Sequence, residues 1–100
     1  MSKGGVNMLN KYETVFIIDP KIEDKKPIID KFVDLINANG KVENVDEWGM
    51  RKLAYEIEDN TEGYYVLVNF EADAKFVAEL ERIFRITIEV IKFIVVRKED

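Results

Sequence analysis

The spacing of the apolar residues constrains this chain more than any other feature. It switches from the period of a strand to that of a helix and back, and it does so twice. Tyr12 to Ile18 is aromatic and β-branched and runs into Asp19-Pro20, a turn signal. Val15 and Ile17 point one way, and Tyr12, Phe16 and Ile18 the other, as in a strand covered on both faces. Lys25 to Ala38 has helical spacing, with Ile28, Ile29, Phe32, Val33 and Ile36 in one stripe. Asp24 is its expected N-cap, Pro27 falls in the first turn, and Asn39-Gly40 is the stop. Lys41 to Asp59 is extended again. Its alternation slips at Trp48-Gly49, which predicts a bulge or bend there, with Trp48 either packed into the core at the bend, the preferred reading, or projecting as an interface anchor. Asp59 to Gly63 reads as a hairpin loop, and Tyr64 to Phe70 as a strand with Tyr64, Val66, Val68 and Phe70 on one face. Asp73 caps a second helix whose stripe is Phe76, Val77, Leu80, Ile83 and Phe84. Ile88 to Val96 is the last strand, with Ile91, Phe93 and Val95 opposing Val90, Ile94 and Val96.

The order is therefore β-α-β-β-α-β. Right-handed crossovers place both helices on one face of a four-stranded antiparallel sheet, the α+β arrangement called ferredoxin-like. Residues 11–98 make this single domain, and residues 1–10, with Gly4, Gly5, Asn7 and Asn10, make a flexible lead in which Met8 is a plausible native start. Helices on one face leave the other uncovered, yet the strands offer large apolar residues to both. An exposed apolar patch of that size marks a partner surface, although β-propensity alone also enriches strands in Ile and Val.

Composition removes most chemistry. The 100 residues suffice for one core, and they include no cysteine, no histidine and a single serine, Ser2. Disulfides, thiolate–zinc sites, Cys nucleophiles, histidine acid/base catalysis and a Ser–His–Asp triad are all excluded. The carboxylate pairs, such as Asp46/Glu47 and Glu56/Glu58, sit where solvent reaches them, and Gly40, Gly49 and Gly63 stand singly instead of forming a phosphate loop. No enzyme activity, metal, cofactor or small-molecule substrate is expected. No apolar run approaches the roughly 20 residues that span a bilayer, and the first residues lack a signal peptide's apolar stretch, so no membrane association and a cytoplasmic location are expected.

The 15 basic residues against 20 acidic ones give a formal net charge of −5. Taken alone, that argues against binding nucleic acid. The cations are unevenly spread, however. Arg51-Lys52 lies beside Trp48 and near Tyr55, Arg82 and Arg85 close the second helix, Lys92, Arg97 and Lys98 follow along the last strand, and Lys11 begins the first. Cations beside aromatics are what an RNA surface uses. Arg82 and Arg85 equally suit the C-terminal end of a helix dipole.

One string is specific. Asp46-Glu47-Trp48-Gly49-Met50-Arg51-Lys52-Leu53-Ala54-Tyr55-Glu56-Ile57 resembles the signature of bacterial small-subunit ribosomal protein six. Lys11-Tyr12-Glu13, Asp19-Pro20, Asn39-Gly40-Lys41-Val42, Gly63-Tyr64-Tyr65, Phe84-Arg85-Ile86, Val90-Ile91-Lys92 and Val95-Val96-Arg97 resemble further landmarks of that family, in order. Glu56 departs from it, standing where many members carry proline, and Glu58 stands where a basic or small polar residue is usual.

The resemblance implies a structural role in the small ribosomal subunit. It implies a heterodimer with small-subunit ribosomal protein eighteen and binding of the pair to the central domain of 16S ribosomal RNA. That partner is basic, so the complex rather than the acidic chain would meet the phosphates. On that reading, Lys11, Arg51, Lys52, Arg85, Lys92 and Arg97 are this chain's expected phosphate contacts, and Tyr12, Trp48, Leu53 and Tyr55 its expected partner, stacking or packing contacts. The competing expectation is a ligand-sensing module that dimerises through its open sheet face.

Overall fold

A computed structural model describes residues 9–98; most of the predicted lead, residues 1–8 with Met8, lies outside the described residues. The elements are β1 (Asn10–Ile18), α1 (Lys26–Asn39), β2 (Lys41–Ile57), β3 (Asn60–Ala72), α2 (Ala74–Ile86) and β4 (Val90–Arg97). The four strands form one sheet in the order β2-β3-β1-β4, with every neighbouring pair antiparallel. This is the predicted arrangement. Asn10, assigned to the lead, begins β1 and pairs with Ala72.

Both helices cover the same face. Tyr12, Phe16 and Ile18 of β1 and Val66, Val68 and Phe70 of β3 bury themselves against Ile29, Phe32 and Ile36 of α1 and Phe76, Leu80 and Phe84 of α2. Phe84 is the centre of this core. Its ring lies 4.4 Å from that of Phe32, 5.1 Å from Phe16 and 5.0 Å from Phe93. Aromatic contacts in this range add to the stabilisation from burial alone.

Local details depart from expectation for physical reasons. Asp24 is not the cap of α1. Lys25 holds that position without a side-chain bond, while Asp24 Oδ1 accepts only from Lys26 N, at 3.3 Å. In α2 Asp73 does cap, accepting from Phe76 N at 2.9 Å. The hairpin is tighter than predicted. Glu58 and Asp59 alone turn it, both at positive φ (49° and 66°), so Asn60 to Gly63 belong to β3. Two left-handed central residues match the twist of a two-residue hairpin. Ile88 does not start the last strand. It is 84% exposed in the turn Thr87–Glu89, which Val90 N closes by donating to Thr87 O.

The last strand also changes face. Between Ile17 and Ile18 the β1–β4 register slips, leaving Ile91 without an opposite residue. Val90 therefore joins Phe93 and Val95 against the core, while Ile91 lies on the other side of the sheet near Gly63. The predicted opposition of Val90 to Phe93 and Val95 is overturned by this one extra residue, because side chains alternate strictly only while pairing is continuous.

Candidate nucleic-acid interface

The helix-free face carries Val15 and Ile17 from β1, Tyr65 and Leu67 from β3, and Lys92, Ile94 and Val96 from β4, the last two 50% and 47% exposed. It is not wholly open. The β2–β3 register jumps from Lys52 opposite Glu62 to Ile57 opposite Asn60, so residues 53–56 leave the ladder. This stretch folds over the sheet. Leu53, Ala54, Tyr55 and Ile57 roof a cavity of about 230 Å³ floored by Val15, Ile17, Tyr65 and Ile94. Gly63 makes the close approach possible, since a Cβ there would collide with Ile17 Cγ2 and sit 3.5 Å from Leu53 Cδ2. The roof is pinned at its far side. Lys92 Nζ donates to Tyr55 Oη at 3.1 Å and lies 5.1 Å from the Tyr55 ring centroid. Residues of the two edge strands thus touch across β3 and β1, and the apolar face expected to be open is in part covered by its own chain.

The six candidate cations fall into two groups. Arg51 and Lys52 stand opposite Gly63 and Glu62, Lys92 opposite Ile17, and Arg85 in the last turn of α2, all towards one end of the sheet. Lys11 and Arg97 lie at the other end, six and five residues along their strands from the Ile17–Lys92 pair. At about 3.3 Å per residue, that is a separation of roughly 17–20 Å. Arg97 donates from Nη2 to Asn10 Oδ1 at 3.0 Å, and Lys11 stands opposite Glu71. Lys98 Nζ, not among the candidates, reaches Asn69 Oδ1 at 3.4 Å and Glu13 Oε1 at 3.9 Å, which only the fold brings together.

The candidate aromatics divide as well. Tyr12 is buried and stacks on Phe70 at 5.6 Å, so its role is packing and it is closed to a base. Leu53 packs in the roof. Trp48 does not enter the core, contrary to expectation. The bulge at Glu47–Gly49, with Gly49 at φ 84°, takes Trp48 out of register and leaves it 38% exposed, stacked on Tyr65 at 6.2 Å. Its Nε1 donates to Asp46 Oδ2 at 3.1 Å, and the Arg51 guanidinium sits 5.3 Å from its ring. Tyr55 is 66% exposed. Tyr65 and Gly63 were missed because strand spacing alone does not say which residues face a folded-back segment.

On the acidic outer part of β2, Tyr64 Oη donates to Glu47 Oε1 at 2.6 Å. That hydrogen bond to a carboxylate raises the Tyr64 phenol above its ordinary 10.0, with burial adding to the shift. Glu79 and Arg82 form an exposed pair at 2.6 Å along α2, which lowers the one and raises the other without building a site. Among the described residues no acidic group is clustered as a metal site would need, and no helix is long and apolar enough to cross a membrane. The arrangement suits binding: two cationic regions, exposed aromatics flanked by cations, and a roofed apolar pocket.

Comparison with known proteins agrees with this architecture. The model of the family described as ribosomal protein S6 matches residues 11–97. A small ribosomal subunit protein bS6 from Clostridium botulinum is 49% identical over 94 residues, covering 91% of this chain and all of the relative. One from Alkaliphilus oremlandii is 50% identical over 93 residues, covering 91% and 99%. The crystal structure of 30S ribosomal protein S6 from Thermotoga maritima superimposes with a TM-score of 0.85 at 34% identity, covering 90% of this chain and 88% of that one. The family match reaches into all six strands and helices, and the chain belongs to the ribosomal protein S6 family.

Proposed function

We propose that this chain is a non-catalytic structural component of the bacterial small ribosomal subunit in the cytoplasm. It binds the central domain of 16S ribosomal RNA as half of a heterodimer with small-subunit ribosomal protein eighteen. The observation that carries this reading is family membership over residues 11–97, which spans every element of the fold. The charge distribution supports the division of labour. With a net charge of −5, the chain has little general attraction for phosphates, while cations stand at both ends of the sheet. Arg51, Lys52, Arg85 and Lys92 supply the main phosphate contacts at one end, and Lys11 and Arg97, the latter engaged by Asn10, weaker secondary ones at the other. Trp48 and Tyr55 offer the exposed aromatic surface. The roof over the helix-free face weighs against a homodimer stacked through it.

The test is a binding titration on a central-domain RNA fragment, with the chain alone and with its basic partner added in equal amount. The chain alone should bind weakly, and the pair should bind tightly with strong salt dependence. Tight, salt-sensitive binding by the chain alone, or no RNA binding by the pair, contradicts the reading.

A further inference from the structure

Building on that RNA-binding reading, we infer that the roofed pocket on the helix-free face holds one unpaired RNA nucleotide, its base against Tyr55 and its phosphate against Lys92 and Arg85. The pocket has the chemistry of such a site. Its apolar interior of about 230 Å³ opens beside two tyrosines, Tyr55 and Tyr65. Tyr55 is 66% exposed yet held in place by Lys92, so an aromatic face is presented at a fixed angle with little further ordering required. Lys92 and Phe93 also line a second groove, which runs along the start of β4 to Arg85.

The charges select the occupant. Neither Lys92 nor Arg85 makes an ion pair among the described residues. Glu58 lines the same groove and pairs with neither, so two cations face one carboxylate in a chain that is acidic as a whole. The hydroxyl that Lys92 now engages is neutral. The Lys92 ammonium has three donors, so a phosphate can accept beside that hydroxyl in a charge-assisted bond of about twice the strength, with Tyr55 still held. A basic protein segment is repelled by the same two cations. An acidic peptide would satisfy them but leave the exposed ring without a planar partner. An unstacked nucleotide satisfies both, because any base offers a π-face and carries its phosphate with it.

The test uses the full chain with its partner protein and the central-domain RNA, comparing wild type with Tyr55→Leu and Lys92→Gln. Wild-type binding establishes that the underlying reading holds, and its absence overturns reading and inference together. Given that binding, Tyr55→Leu should weaken RNA affinity about five-fold or more with an unchanged salt slope. Lys92→Gln should weaken it and reduce the slope of log K against log salt by about one. Thermal melting and affinity for the partner protein should stay at wild-type values in both variants. Unchanged RNA affinity in Tyr55→Leu overturns the inference while leaving the RNA-binding reading intact. So does a loss confined to partner affinity, which would give the pocket to a protein segment.

Discussion

At the scale of single residues, two glycines serve opposite ends and should fail in opposite ways. Gly49 has φ 84° and nothing within 4 Å of where a Cβ would stand, so its need is conformational. Gly40 has an extended backbone, φ −169°, but a Cβ would strike the Glu71 carbonyl oxygen, so its need is space. Gly49→Ala should cost about 1–2 kcal/mol of left-handed strain, partly recovered by Gly49→Asn, since asparagine tolerates that region. Gly40→Ala should cost at least as much, and Gly40→Asn more still. Urea unfolding of the four variants reads this directly, and equal rescue by asparagine at both sites would refute the distinction. Tyr64 gives a pH signature. Its folded value is raised above 10.0, chiefly by the Glu47 carboxylate it bonds. The folded chain therefore holds that proton more tightly than the unfolded one. The resulting stability is fully present below pH 10.0 and is lost as pH rises through the raised value. Glu47→Gln should bring the phenol titration back towards 10.0, seen as ultraviolet difference absorbance, and should make alkaline unfolding less steep near that pH.

At the scale of elements, the two helix starts differ in a way that can be measured. Asp73 accepts from the N–H three residues on, whereas Asp24 makes only a long 3.3 Å bond ahead of α1. Asp73→Ala should cost about 1 kcal/mol in chemical denaturation, and Asp24→Ala clearly less; equal losses would show that both act as caps. Both helices and strands β1 and β3 were legible because their apolar stripes are local and uninterrupted. What escaped were interruptions of pairing. The extra residue at Ile91 changes no composition and leaves an apolar string apolar, yet it decides that Val90 faces the core. The hairpin was misplaced for a related reason. Its left-handed positions are Glu58 and Asp59, which carry a weak turn signal, while the stronger signal, Gly63, marks the close approach of Ile17. The cavity was illegible altogether, since it forms only when residues 53–56 leave the ladder and cross two strands to Lys92.

At the scale of the whole molecule, the sheet separates the candidate cations that the sequence presented as one set. The string Asp46 to Ile57 did reveal the family and brought Arg51, Lys52 and Tyr55 into view, but strand spacing could not say that Lys92 joins them and Lys11 does not. A rigid RNA helix need not touch both ends, roughly 17–20 Å apart along the strands. The end with Arg51, Lys52, Arg85 and Lys92 has four cations, with the exposed rings of Trp48 and Tyr55 beside Arg51 and Lys92. At the other end Arg97 is engaged by Asn10, Lys98 is shared with Asn69 and Glu13, and Lys11 faces Glu71 across the strands. The double reversal Arg51→Glu with Lys52→Glu should therefore weaken binding of the two-protein complex to central-domain RNA steeply at moderate salt. It should also lower the salt slope by about two if each cation neutralises one phosphate. The reversal Lys11→Glu with Arg97→Glu should lower the affinity less and move the slope by under one. Both doubles change the net charge by the same amount, so a general electrostatic effect would weaken them equally, and that equality is the result that would refute a localised RNA surface.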